Sequence, residues 1–270
     1  MTARAKTKAK GLTFSPGNHR YRLDGAYVPG VTGILGVLDK PAIPKWAAGQ
    51  VAEYVADHPD GVETLRQMGR DPMVQALKNL PWAKRDQAGA RGNLLHDHAE
   101  ALLKGEEIDV ADEHVPVMEA ALTFMADWQI EPLLIEASVA SREHQWAGTL
   151  DLIARYVRPD TGHAGTGTFD WKSGKALYPE YAWQLAAYGH AEFTGLNGNE
   201  NPLPATDGSF GVQIRADGYD VAPFAYGPAI YDEFLQIRRT HAVVKAGRGN
   251  WKVPGSGHVG LHIQTEPKDT

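Results

Sequence analysis

The stretch Gly148-Thr149-Leu150-Asp151-Leu152-Ile153-Ala154-Arg155-Tyr156 and the later stretch Gly167-Thr168-Phe169-Asp170-Trp171-Lys172 decide the fold prediction. Both are rich in β-branched and aromatic residues, and the turn-rich residues 159–167 separate them, which is typical of neighbouring strands. A hairpin-like connection between them would bring Asp151 close to Asp170.

The pattern around these strands predicts an α/β or α+β fold in which helices flank a central mixed β-sheet. Helical spacing covers residues 45–58, 60–79, Trp82–Leu103, Pro116–Gln129, Pro179–Phe193 and Ala229–Lys245. Further strands are predicted at Leu133–Val139, and as hairpins around Asp24-Gly25 and Asp217-Gly218. We expect one domain over residues 13–246, with its core at about 84–225, an N-terminal hairpin and helices at 13–83, a basic tail at 1–12 and a second tail at 247–270.

Composition excludes several classes of protein. The 270 residues include 27 Lys+Arg against 33 Asp+Glu, a net charge of −6, and 43% are hydrophobic, which excludes global disorder. The absence of cysteine excludes disulfides, cysteine-ligated zinc and iron–sulfur clusters. No apolar run is long enough to span a membrane, so we expect a cytoplasmic protein. The acidic balance argues mildly against a nucleic-acid partner, unless a basic surface is local.

Two acidic residues and a lysine are candidates for chemistry. Asp151 interrupts an apolar strand, where a carboxylate loses solvation. From this residue alone, an outward-facing position on a half-exposed strand is the commoner outcome. Asp170 and Lys172 share one face of the next strand, at most about 7 Å apart. Together with Asp151 they could hold a hard divalent cation beside a lysine that holds or deprotonates water. The simpler alternative is a surface salt bridge between Asp170 and Lys172.

Two helices could add to such a site. His96 shares a helix face with Glu100 and could add an imidazole to the two carboxylates, although a single helical histidine is more often an ordinary surface or core residue. Tyr181, Gln184 and Tyr188 share one face of the helix after Lys172. They could hydrogen-bond to a substrate or stack on it, or they could belong to an amphipathic helix with a buried tyrosine.

Taken in chain order, four motifs resemble those of the PD-(D/E)XK nuclease superfamily, in its RecB-like branch, which includes many phage exonucleases. The motifs are Arg91-Gly92-Asn93-Leu94-Leu95-His96, Gly148-Thr149-Leu150-Asp151, Asp170-Trp171-Lys172-Ser173-Gly174-Lys175 and Gln184-Leu185-Ala186-Ala187-Tyr188. They span about residues 91 to 190, and the stretch from Tyr21 to Trp46 also resembles the N-terminal part of phage members.

The resemblance implies a restriction-endonuclease-like core and a Mg²⁺ or Mn²⁺ ion. His96, Asp151, Asp170 and the main-chain carbonyl of Trp171 would bind the metal. Glu136 is a weaker candidate, because related enzymes often carry a glutamate on the strand before the G-x-x-D motif. Asp170 departs from the many relatives that have glutamate at this position, which shortens the ligand.

The resemblance also implies metal-dependent hydrolysis of DNA. Lys172 would position or activate the attacking water, and Gln184 and Tyr188 would organise the site and the DNA end. An exonuclease in phage or bacterial recombination or repair is the expected function, with an annealing protein as a possible partner and an oligomer as a possible state. The alternatives are an endonuclease of the same fold, a non-cleaving DNA-binding accessory subunit, and a metal-stabilised domain that binds no nucleic acid.

Overall fold

The computed structural model describes residues 11–172 and 176–247, apart from the side chains of residues 88, 90 and 91. Its strands are β1 (Leu12–Ser15), β2 (Arg20–Leu23), β3 (Ala26–Val28), β4 (Glu131–Ser141), β5 (Trp146–Val157), β6 (Ala164–Lys172), β7 (Phe193–Thr194), β8 (Gly208–Arg215) and β9 (Gly218–Phe224). Its helices are α1 (Val31–Leu35), α2 (Ala42–Asp57), α3 (Pro59–Gln67), α4 (Arg70–Lys104), α5 (Val115–Asp127), α6 (Glu180–Gly189) and α7 (Pro228–Gly247).

A six-stranded mixed sheet forms the centre of the fold, in the order β7-β4-β5-β6-β8-β9. Strands β4, β5 and β6 are consecutive antiparallel neighbours, whereas β8 runs parallel to β6. A parallel neighbour requires a crossover connection, and α6 lies in the chain between β6 and β8. The prediction of an α/β fold with a central mixed sheet is confirmed.

Helices cover both faces of this sheet. On one face, α4 and α5 pack against β5, β6 and β8, and the ring of Phe124 meets that of Trp171 edge-to-face at 5.6 Å. On the other face, α1, α6 and α7 pack against β4 and β5, and Phe234 meets Trp146 at 5.6 Å. All four rings are almost fully buried, and burial of each contributes about 2–3 kcal/mol. The two apolar layers therefore fix α4 and α6 relative to the central strands.

A second sheet, in the order β1-β2-β3, lies at the N-terminus. Asp24 and Gly25 both have positive φ, 49° and 79°, as the tight turn predicted between β2 and β3 requires. Strand β1 begins at Leu12, which is fully buried although it is the last residue of the predicted N-terminal tail. This sheet packs against β4 and β5 through Tyr21 and Ala147, among others.

Three predicted helix boundaries are wrong. The helix predicted at 60–79 is broken after Gln67, because Gly69 has a φ of 99°. The helix expected to begin at Trp82 begins at Arg70 and runs through Pro81. Helix α6 ends at Gly189 rather than at Phe193, because Phe193–Thr194 pairs with β4 as the edge strand β7.

Most of the two predicted tails, residues 1–10 and 248–270, lies outside the described residues. Within the part of the chain that the structure describes, no helix combines the length and the apolar character needed to cross a membrane.

Candidate metal centre

Three side chains from α4, β4 and β5 form a candidate metal centre. His96, Glu136 and Asp151 each offer one ligand atom, and these atoms all lie within 4.8 Å of one another. His96 Nδ1 is 3.8 Å from Glu136 Oε1 and 3.5 Å from Asp151 Oδ2. Adjacent ligand atoms around a small divalent cation lie about 3 Å apart. Small side-chain rotations would therefore bring all three atoms to coordinating distance.

The pairing of β4 with β5 places the two carboxylates together. Ile135 pairs with Leu152 and Ala137 pairs with Leu150, so Glu136 and Asp151 are neighbours across the two strands. Their ligand atoms lie within 4.8 Å of each other. Helix α4 packs over this part of the sheet and supplies His96.

Glu136 combines a costly backbone conformation with an unsatisfied acceptor. Its φ is 44°, in the left-handed region that costs a non-glycine residue about 1–2 kcal/mol. Its Oε1 is buried and accepts no hydrogen bond from any residue that the structure describes. An unsatisfied buried acceptor costs about 1–3 kcal/mol. A bound cation would take up this lone pair, and one imidazole with two carboxylates is a suitable donor set for Mg²⁺ or Mn²⁺.

Asp151 is buried rather than outward-facing, with 7% of its surface exposed. The interpretation of this residue as a solvated position on a half-exposed strand is wrong, because side chains of α4 and β4 and the backbone of β6 surround its carboxylate. Burial, and then the charge of Asp170, raise the pKa of Asp151 well above its ordinary value. The main-chain N–H of Trp171 donates to Asp151 Oδ2 at 2.8 Å. The N–H and C=O groups of one strand residue point to the same side of the strand. The Trp171 carbonyl therefore points toward β5, the strand that carries Asp151.

Asp170 and Lys172 form a buried ion pair rather than a surface salt bridge, since their side chains are 2% and 17% exposed. Gln184 Nε2 donates to Asp170 Oδ1 at 3.0 Å and lies 3.5 Å from the Tyr188 hydroxyl. Lys172 Nζ also lies 4.4 Å from the centre of the Tyr181 ring, in a cation–π contact. The chain's own side chains therefore engage both carboxylate oxygens of Asp170.

The charges of the site are strongly coupled. Burial lowers the pKa of His96, but the nearby carboxylates of Glu136 and Asp151 outweigh this effect and raise the pKa to about 9. Burial also lowers the pKa of Lys172, and the charges of Asp170 and Asp151 more than reverse this effect. In the absence of metal, both bases are therefore cationic at neutral pH.

The glycine of the predicted G-x-x-D motif has a packing role. A Cβ atom at Gly148 would lie only 2.6 Å from Cε1 of the buried Tyr188. Glycine at this position lets α6 approach β5 closely. This approach places Tyr188 next to Gln184 and the ion pair.

The structure brings the predicted site residues to one cleft of about 750 Å³. The predicted residues that line it are His96, Asp151, Asp170, Lys172, Gln184 and Tyr188. Glu136, only a weaker candidate in the sequence, completes the three-residue group, whereas Asp170 lies beside that group. Glu100 pairs with Lys104, one turn further along α4. Two basic residues of the quoted motifs lie outside the described residues, Arg91 by its side chain and Lys175 entirely.

The sequence analysis missed one wall of the cleft, which Phe14, His19 and Tyr21 contribute from the N-terminal sheet. No local pattern marks these residues, because their position depends on how β1 and β2 pack against β5.

Comparison of the sequence with models of known protein families gives no match, and comparison with curated proteins gives none either.

Proposed function

We propose that this protein hydrolyses phosphodiester bonds of DNA with the help of a divalent cation, Mg²⁺ or Mn²⁺. The observation that carries the proposal is the convergence of His96, Glu136 and Asp151 on one point, beside the buried Asp170–Lys172 pair. A hard cation, a nearby ammonium group and a cleft open to solvent are what cleavage of a phosphate diester needs.

His96, Glu136 and Asp151 would hold the cation. Asp170 and the Trp171 carbonyl, on the neighbouring strand β6, would be further ligands. When bound, the cation would supply Lewis acidity toward a phosphate oxygen and lower the pKa of water toward ~7. The ammonium group of Lys172 would donate a hydrogen bond to water or to a phosphate oxygen. Gln184 would keep Asp170 in place through its 3.0 Å hydrogen bond.

The charge balance of the cleft supports a requirement for metal. Three carboxylates, from Glu136, Asp151 and Asp170, face two cationic groups, from His96 and Lys172. Without a bound cation, the site therefore has no excess of positive charge to attract a phosphate backbone. A bound divalent cation would supply that excess. The overall charge of −6 is therefore compatible with a nucleic-acid substrate.

The order of the elements supports a nuclease of the PD-(D/E)XK type with a restriction-endonuclease-like core. His96 lies on a helix, Asp151 inside a strand, Lys172 at the last position of the next strand, and Gln184 on the following helix. These are the element types that the resemblance implies for the four motifs. Within this class, the resemblance to phage proteins favours an exonuclease that acts in recombination or repair.

The test is a cleavage assay on end-labelled linear DNA and on closed circular DNA, each with Mg²⁺, Mn²⁺ or EDTA. We expect metal-dependent loss of linear DNA, slowed about 100-fold or more in Lys172→Ala and Asp170→Ala. Lys78→Ala, an exposed lysine on α4, is the matched control and should cleave like the wild type.

The outcomes separate the alternatives. Sparing of the circle identifies an exonuclease, and cleavage of the circle identifies an endonuclease. DNA binding without cleavage in either metal would overturn the catalytic proposal in favour of a binding subunit. Equal activity in Lys172→Ala and in the wild type would contradict the proposed site.

A further inference from the structure

One wall of the cleft is aromatic. It comes from the end of β1, the turn at Pro16–Asn18 and the start of β2. Phe14 is half-buried and stacks on the buried Tyr21 with ring centres 4.7 Å apart. His19 is exposed and meets the Phe14 ring edge-to-face at 5.1 Å. The three rings form one cluster with the exposed imidazole on its outside.

This wall is fixed relative to the metal centre. The hydroxyl groups of Tyr21 and Thr149 hydrogen-bond at 2.8 Å, and Thr149 lies two residues before Asp151 on β5. Because Phe14 stacks on Tyr21, both rings are held at a set distance from the strand that carries Asp151. A surface cluster with only a solubility role would not need this anchor.

His19 is held in the cleft at a cost. Its φ is 48°, in the left-handed region that residues with a Cβ atom rarely adopt. Nothing in the mechanism derived above uses His19, Phe14 or the turn between them. Two exposed or half-exposed rings in a cleft large enough for a nucleotide therefore remain to be explained.

We propose that Phe14 and His19 form a stacking subsite for one unpaired base of the DNA strand whose phosphate lies at the metal centre. A base in a duplex is stacked between its neighbours and cannot offer a free face to these rings, so the base must be frayed or single-stranded. Stacking on an aromatic side chain strengthens binding about fivefold or more per base and tolerates any sequence. The subsite makes the protein selective for unpaired strand ends and indifferent to which base they carry.

This inference rests on the proposed function for the identity of the substrate, and a binding experiment tests it separately from cleavage. The probes are a fluorescent 12-nucleotide thymidine strand, the same strand with abasic sites throughout, and a blunt duplex of equal length. Fluorescence anisotropy is measured with Ca²⁺ in place of Mg²⁺, after gels show that the probes stay intact.

The variants are His19→Asn, because asparagine tolerates positive φ, and Phe14→Leu, which keeps bulk but removes the ring. Tyr27→Ala is the matched control, because Tyr27 is an exposed ring of the same sheet that does not line the cleft. Circular dichroism and the melting temperature establish that each variant is folded.

We expect the wild type to bind the thymidine strand at least about fivefold more tightly than the abasic strand or the duplex. His19→Asn and Phe14→Leu should lose this difference while keeping their affinity for the abasic strand, and Tyr27→Ala should keep it. The proposal is overturned if the wild type binds the normal and abasic strands equally, or if both ring variants retain the difference.

Comparison with the cleavage assay distinguishes the two proposals. Base-dependent binding without cleavage would overturn the proposed hydrolysis and support the subsite. Metal-dependent cleavage without base-dependent binding would support hydrolysis and overturn the subsite.

Discussion

Glu136 of β4 lies next to Asp151 of the paired strand β5, and the Nδ1 atom of His96 lies within 4 Å of both carboxylates. Two adjacent acids in an antiparallel pair repel each other, and such pairs are destabilising unless a cation lies between them. In the metal-free protein, the protonated imidazole of His96 supplies this positive charge. A divalent cation would supply it more strongly, which links the sheet pairing directly to metal binding.

The backbone at Glu136 can be tested by comparing two variants that both remove the carboxylate. Glycine adopts a φ of 44° without strain, whereas alanine does not. We expect the free energy of unfolding of Glu136→Gly to be about 1 kcal/mol higher than that of Glu136→Ala, so that the glycine variant is the more stable. Urea denaturation of both variants measures the difference. A more stable alanine variant would show that residue 136 is not strained.

The packing of Gly148 against Tyr188 predicts a large effect from one added methyl group. Because a Cβ would lie 2.6 Å from the Tyr188 ring, we expect Gly148→Ala to lose about 1–3 kcal/mol of stability. The control is Gly33→Ala, where nothing lies within 4 Å of the added atom. It should be neutral or slightly stabilising, since α1 gains helix propensity. Equal denaturation midpoints for the two variants would contradict the close approach of α6 to β5.

The hydrogen bonds of Glu192 predict that the stability of the fold decreases at acidic pH. Its carboxylate accepts hydrogen bonds from the Ser141 hydroxyl at 2.5 Å and from the main-chain N–H groups of Arg142 and Glu143 at 2.9 and 2.8 Å. Burial raises the pKa of Glu192, but these hydrogen bonds outweigh it and lower the pKa below its ordinary value of 4.5.

A carboxyl group whose pKa is lower in the folded state stabilises the fold above its unfolded pKa and loses this contribution as the pH falls below it. The effect of Glu192 is therefore complete at neutral pH. It begins to fall near pH 4.5 and is lost as the pH passes through the lower pKa of the folded state. Because the side chain is largely exposed, we expect Glu192→Gln to lose only about 1 kcal/mol at pH 7. The melting temperatures of the variant and the wild type should approach each other as the pH falls below about 4.5. Glu119→Gln, an exposed residue on α5, should follow the wild type throughout, and a constant deficit in Glu192→Gln down to pH 3 would contradict the assignment.

Local chemistry made much of the fold predictable. The turn at Asp24-Gly25 needs two residues that tolerate positive φ, and those two residues are present. The period-2 alternation of β5 and β6 placed Asp151, Asp170 and Lys172 near one another, because a strand has only two faces. The spacing of Gln184 and Tyr188 on α6 placed both side chains at the same site.

Long-range packing decided what the sequence could not show. The position of Glu136 depends on its pairing with β5 and on a φ of 44°, and neither is written in the local pattern. The early end of α6 follows from the pairing of Phe193–Thr194 with β4, more than fifty residues away. Asp151 was misjudged because its burial comes from α4, β4 and β6, which are distant from it in the local sequence pattern.

The most direct test of the account is the binding of Mn²⁺, followed by the electron paramagnetic resonance signal of the free ion. We predict one Mn²⁺ per chain in the wild type, with the affinity lowered at least about tenfold in Glu136→Gln and in Asp151→Asn. Asp57→Asn, an exposed residue at the end of α2, should bind like the wild type. Failure of the wild type to bind Mn²⁺, or unchanged affinity in both variants, would contradict a metal centre formed by His96, Glu136 and Asp151.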